Sequence, residues 1–117
     1  MATVDVSRNH IKLNDGGVAC TPVAMTASNE YYLDLKGSDY KTVFVFSNAN
    51  STPAKVTIAI GDGIQGVGEN IEFNVEQGKT VPVVVDSGAY KIVAGEHKGF
   101  AKVTVTSGCN VAVVELP

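Results

Sequence analysis

Apolar and polar residues alternate along this chain in short runs, and Gly, Asn, Ser and Pro separate the runs. A period of two residues places alternate side chains on opposite faces, which predicts β-strands. The stretch 40–62, YKTVFVFSNANSTPAKVTIAIGD, carries this pattern most clearly. In Lys41 to Ser47, Val43 and Val45 point one way, and Phe44 and Phe46 the other. Both faces are apolar, which predicts a strand covered on both sides. In Ala54 to Ile60, the side chains of Ala54, Val56, Ile58 and Ile60 share one face, and Lys55, Thr57 and Ala59 the other. Asn48 to Pro53 between them is turn chemistry, so the two strands are expected to form a central hairpin.

The remaining chain reads in the same way. Thr3 to Val6 predicts a short strand or an extended arm, and Ser7 to Gly17 a polar stretch with a brief Ile11/Leu13 alternation. Val23 to Ala27 predicts a strand, with Pro22 at its start or on an edge. Glu30 to Leu35 predicts another, with a helical turn as the alternative. After the glycine-rich 61–68 loop, Ile71, Phe73 and Val75 alternate with Glu72, Asn74 and Glu76 in the cleanest half-buried strand of the chain. Thr80 to Asp86 predicts a strand, with Pro82 favouring an edge or a bulge, and Ala89 to Ala94, Phe100 to Thr106 and Val111 to Leu116 predict three more. Strands at this spacing, joined by short turns, predict a single antiparallel β-sandwich of about eight to ten strands, Ig-like or jelly-roll-like. The domain is expected to span 1–117, with 1–17 as an N-terminal arm used for attachment.

Composition narrows the partners. Hydrophobic residues make up 44% of the 117 and charged residues 18%, as in an ordered globular domain. The formal charge is −3 with no basic cluster, which argues against nucleic acid as a partner. The opening residues lack an apolar core of signal-peptide length, and no run is long enough to span a membrane as a helix, so synthesis in a cytoplasm is expected. There, Cys20 and Cys109 are expected as free thiols, and a disulfide is the alternative outside cells.

Candidate chemistry is sparse. GDGIQG at 61–66 matches the dinucleotide fingerprint as a bare pattern, but a strand rather than a helix follows it. Asp62, Glu69 and Asn70 are too few for a calcium loop. His10, His97, Cys20 and Cys109 lack zinc-ligand spacing. Cys109 carries no mark of an activated nucleophile. His97 reads as an exposed loop residue. Glu72, Glu76 and Asp86 are better read as solubilising charges than as paired catalytic carboxylates. Tyr31, Tyr32, Tyr40 and Tyr90 suit a sugar platform poorly without Trp, and are expected at core edges with their hydroxyls in water. No nucleophile, base and orienting group assemble, so no enzyme, cofactor or metal is expected.

From Val45 onward the chain resembles small virion proteins of tailed bacteriophages and prophages, of the capsid decoration type. The residues that carry the likeness are Val45 to Asn48, Ala54 to Asp62, Gln77 to Thr80, Ser87 to Lys91 and Val111 to Pro117. The resemblance implies a β-sandwich made in the host cytoplasm that binds the major capsid protein on the outer surface of the assembled head and stabilises it. The alternative is a tail or surface-adhesion module that binds host glycan or protein. A homo-oligomer is open on this reading, and a trimer would suit three-fold lattice positions; neither nucleic acid nor membrane is expected as a partner. Two contact regions are expected: the arm, with Val4, Val6, His10, Ile11 and Leu13, and the glycine loop, with Ile64 and Val67. Apolar side chains in polar segments are left in water unless a partner covers them.

Overall fold

The computed structural model describes residues 2–37, 41–61 and 69–117. The described residues form ten strands: β1 (Thr3–Val6), β2 (Arg8–His10), β3 (Val23–Met25), β4 (Glu30–Asp34), β5 (Thr42–Ser47), β6 (Ala54–Ile58), β7 (Ile71–Val75), β8 (Thr80–Val83), β9 (Phe100–Val105) and β10 (Cys109–Glu115). One helical turn, α1 (Ser87–Tyr90), lies between β8 and β9. It takes the place of the strand expected over Ala89 to Ala94. Asp86 starts it, its Oδ1 accepting the Gly88 N–H at 2.9 Å. A side-chain oxygen at this position satisfies a backbone donor that a helix start leaves unpaired.

From β3 onward the strand partners nest. β3 pairs with β10, β4 with β9, β5 with β8 and β6 with β7, all antiparallel. The chain is one long ladder doubled back on itself. It is rolled so that successive pairs fall in alternate sheets, and β5–β10 and β6–β9 pairing closes each sheet. The result is a two-sheet sandwich with jelly-roll connections. Sheet I has the order β1-β4-β9-β6-β7, and sheet II the order β2-β10-β5-β8, with β3 beside β2 on the same edge of β10.

The expected central hairpin does not form. β5 belongs to sheet II and β6 to sheet I, so the intervening turn crosses between the sheets. Asn48, only 2% exposed, holds that crossing. Its Nδ2 donates to the carbonyls of Thr52 and Val75, both at 2.9 Å, and its Oδ1 accepts from Asn50 N–H at 2.8 Å. Its backbone bonds Lys79 O and Gly78 N across the β7–β8 turn. One buried amide thus ties three segments, a connection that strand periodicity cannot reveal.

Between the sheets lie Tyr31, Leu33, Phe44, Phe46, Val56, Ile58, Val75, Val103, Val111 and Val113, each 1% exposed or less. Burying one such side chain contributes roughly 1.5–3 kcal/mol. Tyr31 brings its hydroxyl inside with it, contrary to the expectation of a hydroxyl in water. That oxygen accepts from Thr26 N–H at 2.8 Å and Asn29 Nδ2 at 3.3 Å.

The N-terminal segment is not a free arm. β1 pairs parallel with β4 in sheet I, the chain crosses at Ser7, and β2 pairs parallel with β10 in sheet II. Among the described residues these are the two departures from an antiparallel plan. The Arg8 guanidinium ends the crossing. Its Nη1 donates to both carboxylate oxygens of Asp34 in β4, and its Nε to Glu115 Oε1 in β10, all at 3.1 Å. Asp34 and Glu115 are largely buried, so one cation joins the ends of the two sheets. Burial opposes the charge on Arg8, but the facing carboxylates outweigh it and hold the guanidinium above its ordinary pKa.

Candidate functional site

The two outer faces of the sandwich differ in chemistry. On sheet I the registers place outward the rows Asp5–Tyr32–Lys102, Thr104–Thr57–Glu72, Thr3–Glu30 and Lys55–Asn74. Five of these ten residues are charged, and they pair: Lys55 with Glu72 at 2.8 Å and Lys102 with Glu30 at 2.7 Å. His97 Nδ1 lies 3.6 Å from Asp5 Oδ1. The Lys102 hydrogen bond holds the Glu30 carboxyl below its ordinary range, and Glu30 in turn raises Lys102.

On sheet II the outward rows are Ala24–Asn110–Ser47–Thr80, Ala112–Val45–Pro82 and Asn9–Val114–Val43. None of these ten is charged. Val43, Val45, Ala112 and Val114 are half-buried by their sheet neighbours, and Val84, just beyond β8, is 47% exposed. Side chains alternate across each strand, so the core residues Phe44, Phe46, Val111 and Val113 force this second set outward. The apolar character of both β5 faces predicted a second covering layer. Among the described residues no strand or helix packs over Val43 and Val45. The alternation was therefore a surface signal as well as a core signal.

The sequence-derived contact residues scatter. Val6 is a core residue at 3% exposure and is not accessible to a partner; Val4 is half-buried and packs on the same core. The free arm is corrected over residues 3–10, which pair into both sheets; its role in attachment rested on His10, Ile11 and Leu13. His10 is exposed, and Ile11 is half-buried with its N–H on Glu115 O. Leu13 is 76% exposed in the 11–22 loop, where Asn14, Gly16 and Gly17 adopt positive φ. That loop leaves and rejoins the β10 edge of sheet II, beside the uncharged face. Ile64 and Val67 lie outside the described residues, as do Tyr40, Asp62 and most of GDGIQG. A strand, β7, follows that loop.

The other candidates have structural occupations. His97 is half-buried rather than exposed, stacked on Tyr32 with ring centroids 3.5 Å apart and planes 3° from parallel. Burial chiefly, and then Glu30, push the Tyr32 phenol above its ordinary pKa. Asn70 Oδ1 accepts from Ile60 N–H at 2.9 Å, holding the two ends of the glycine connection together. Tyr90 is half-buried and its hydroxyl donates to Glu69 O at 3.3 Å. Cys20 and Cys109 are free. Cys109 is buried, and burial raises its thiol to about 11, where little thiolate forms at neutral pH. Among the described residues no three His, Cys, Asp or Glu side chains converge as a metal site, and no helix is long and apolar enough to cross a membrane.

No family model, no curated protein and no solved structure matches this chain.

Proposed function

We propose that this protein is a non-enzymatic virion component, a decoration protein that binds the major capsid protein on the outside of an assembled phage head and stabilises it. The observation that supports this reading best is the uncharged outer face of sheet II, set against the half-charged face of sheet I. Charged residues are depleted from the cores of protein interfaces, because each buried charge loses its hydration. Val43, Val45, Ala112, Val114 and Pro82 are rigid at χ1 or lack χ1 freedom, so ordering them on a partner costs little entropy. The resemblance of residues 45–117 to phage virion proteins supplies the setting. A jelly-roll sandwich suits the role, being the fold of viral capsid domains as well as of lectins.

On this reading stabilisation is mass action. A protein that binds only the assembled shell shifts the equilibrium toward that shell. Equivalent lattice positions fix the stoichiometry by symmetry.

The test is co-sedimentation with mature, undecorated heads of the parent phage. Saturable binding at a fixed ratio to the major capsid protein is expected. Val45→Glu on the sheet II face should weaken it by on the order of tenfold or more, and Thr57→Glu on the sheet I face should leave it unchanged. Equal effects of the two substitutions would remove sheet II from the contact. No binding to heads, with binding to host cell-wall fragments, would replace decoration by the adhesion reading.

A further inference from the structure

A cleft of about 330 Å³ opens where the end of β4, the segment after α1 and the 95–99 loop meet. Lys36, Lys91, Lys98, Ile92, Val93 and Gly99 line it. Three of the chain's nine Lys and Arg residues thus surround one hollow in a protein of net charge −3. Arg8, Lys55 and Lys102 each hold a carboxylate partner; among the described residues these three lysines do not. The floor is prepared. Gly99, at φ +93°, leaves room for the Lys36 stem, whose Cγ would lie 2.5 Å from a Cβ at that position. The Lys36 ammonium then stands 4.8 Å from the centre of the Phe100 ring. Gly99 N–H donates to Ile92 O at 2.7 Å and Gly99 O accepts from Leu35 N–H at 3.0 Å, so both walls are fixed to the sheet.

The geometry points to a binding site for an acidic peptide segment of a partner protein, with one apolar side chain seated against Ile92 and Val93 and flanking carboxylates on the three ammonium groups. The volume lies at the low end of small-ligand pockets, about 300 Å³, and suits one anchoring side chain. Lysine ammoniums donate and never accept, so the lining side chains offer a neutral sugar no acceptor. A free phosphate would meet the ammonium groups alone and leave Ile92 and Val93 uncovered. Carboxylates around an aliphatic anchor satisfy both parts of the lining. None of these residues belongs to the sheet II face, so the site stands whatever that face binds.

The experiment uses the full chain, isotope-labelled, and a capped hexapeptide Glu-Glu-Leu-Phe-Glu-Glu as probe, followed by amide chemical shifts. Saturable shifts are expected at Ile92, Val93 and Gly99. Raising the salt from about 20 mM to about 200 mM should weaken binding several-fold, as screening shortens the reach of the ammonium groups. Lys91→Gln with Lys98→Gln should weaken it by on the order of tenfold, each lost charge pair being worth about 0.7 kcal/mol near water. Lys98→Gln alone, at an exposed position, serves if the double variant folds poorly, with an expected loss of about threefold. The proposal is overturned by no saturable binding up to about 1 mM. It is equally overturned by unchanged affinity in the lysine variants, or when serine replaces both apolar residues of the probe, and by tighter binding of inorganic phosphate or a sulfated disaccharide.

Discussion

The two outer faces of this sandwich are built by the same rule and end in opposite chemistry. On each sheet, alternate residues face the core and the others face outward. On sheet I the outward set carries Lys–Glu pairs, and His97 stacks on Tyr32 in the Asp5–Tyr32–Lys102 row. On sheet II the outward set is Val, Ala, Pro, Asn, Ser and Thr. Fold stability does not demand this difference, because outward residues contribute little to the core. A charged face is easily kept in water and resists edge and face association. An uncharged β-branched face has little to lose by being covered. The contrast teaches that the inward rows specify the roll, and the outward rows specify what each side of it meets.

The comparison depends on the two sheets keeping their relation, so the largest expected effects come from breaking the ties between them. Asn48→Ala leaves the carbonyls of Thr52 and Val75 and the Asn50 N–H without their partner. Chemical denaturation should show a loss of about 3 kcal/mol, within the range for buried polar groups left unpaired. A loss below about 0.5 kcal/mol, the level of a surface change, would mean that the crossing is held elsewhere.

Arg8→Ala comes next. It leaves two largely buried carboxylates facing each other across the ends of the sheets. Removing one partner of a fully buried pair costs about 3–5 kcal/mol. Arg8 is one third exposed, so about 2 kcal/mol is expected. Arg8→Met should recover little of it, because the charge is what is missing. Recovery by Met to within about 0.5 kcal/mol of wild type would reduce Arg8 to a packing residue.

The smallest effect sharpens the charged face itself. The Lys102 hydrogen bond depresses the folded-state pKa of Glu30 below its ordinary 4.5. A depressed carboxyl stabilises the fold above its unfolded pKa, and that stabilisation is lost as pH falls through the folded value. The stability difference between wild type and Lys102→Ala should therefore be constant near neutrality and shrink as the pH drops below about 4.5. A difference that persists unchanged to about pH 3 would show that Lys102 acts through its methylene stem rather than through Glu30.

Much of the fold is legible along the chain. The alternation of Phe44 with Val43, of Val56 with Lys55 and of Phe73 with Glu72 locates β5, β6 and β7, and of the edge or bulge that Pro82 allows, β8 takes the edge. The candidate site was legible only in part. The two-sided apolar pattern of β5 was visible, but one strand cannot show whether a second layer covers it. Ala112, Val114 and Ala24 join Val43 and Val45 through pairings between segments far apart in the chain, and such pairings leave no local mark. The lysine cleft was hidden for the same reason, since Lys36 and Lys98 meet only when β4 pairs with β9.

The amino-acid order by itself determined that this chain forms strands, which residues on each strand share a face and, the helical turn at Ser87–Tyr90 apart, where the turns fall. Those properties arise from dihedral preferences and a two-residue period, both of them local. Only the tertiary structure decided that β5 and β6 lie in different sheets, that the N-terminal segment is woven into both, and that the outward strand rows of sheet II come together without a charge. Each of these depends on which strands pair, and pairing is settled by the joint burial of all the apolar rows at once.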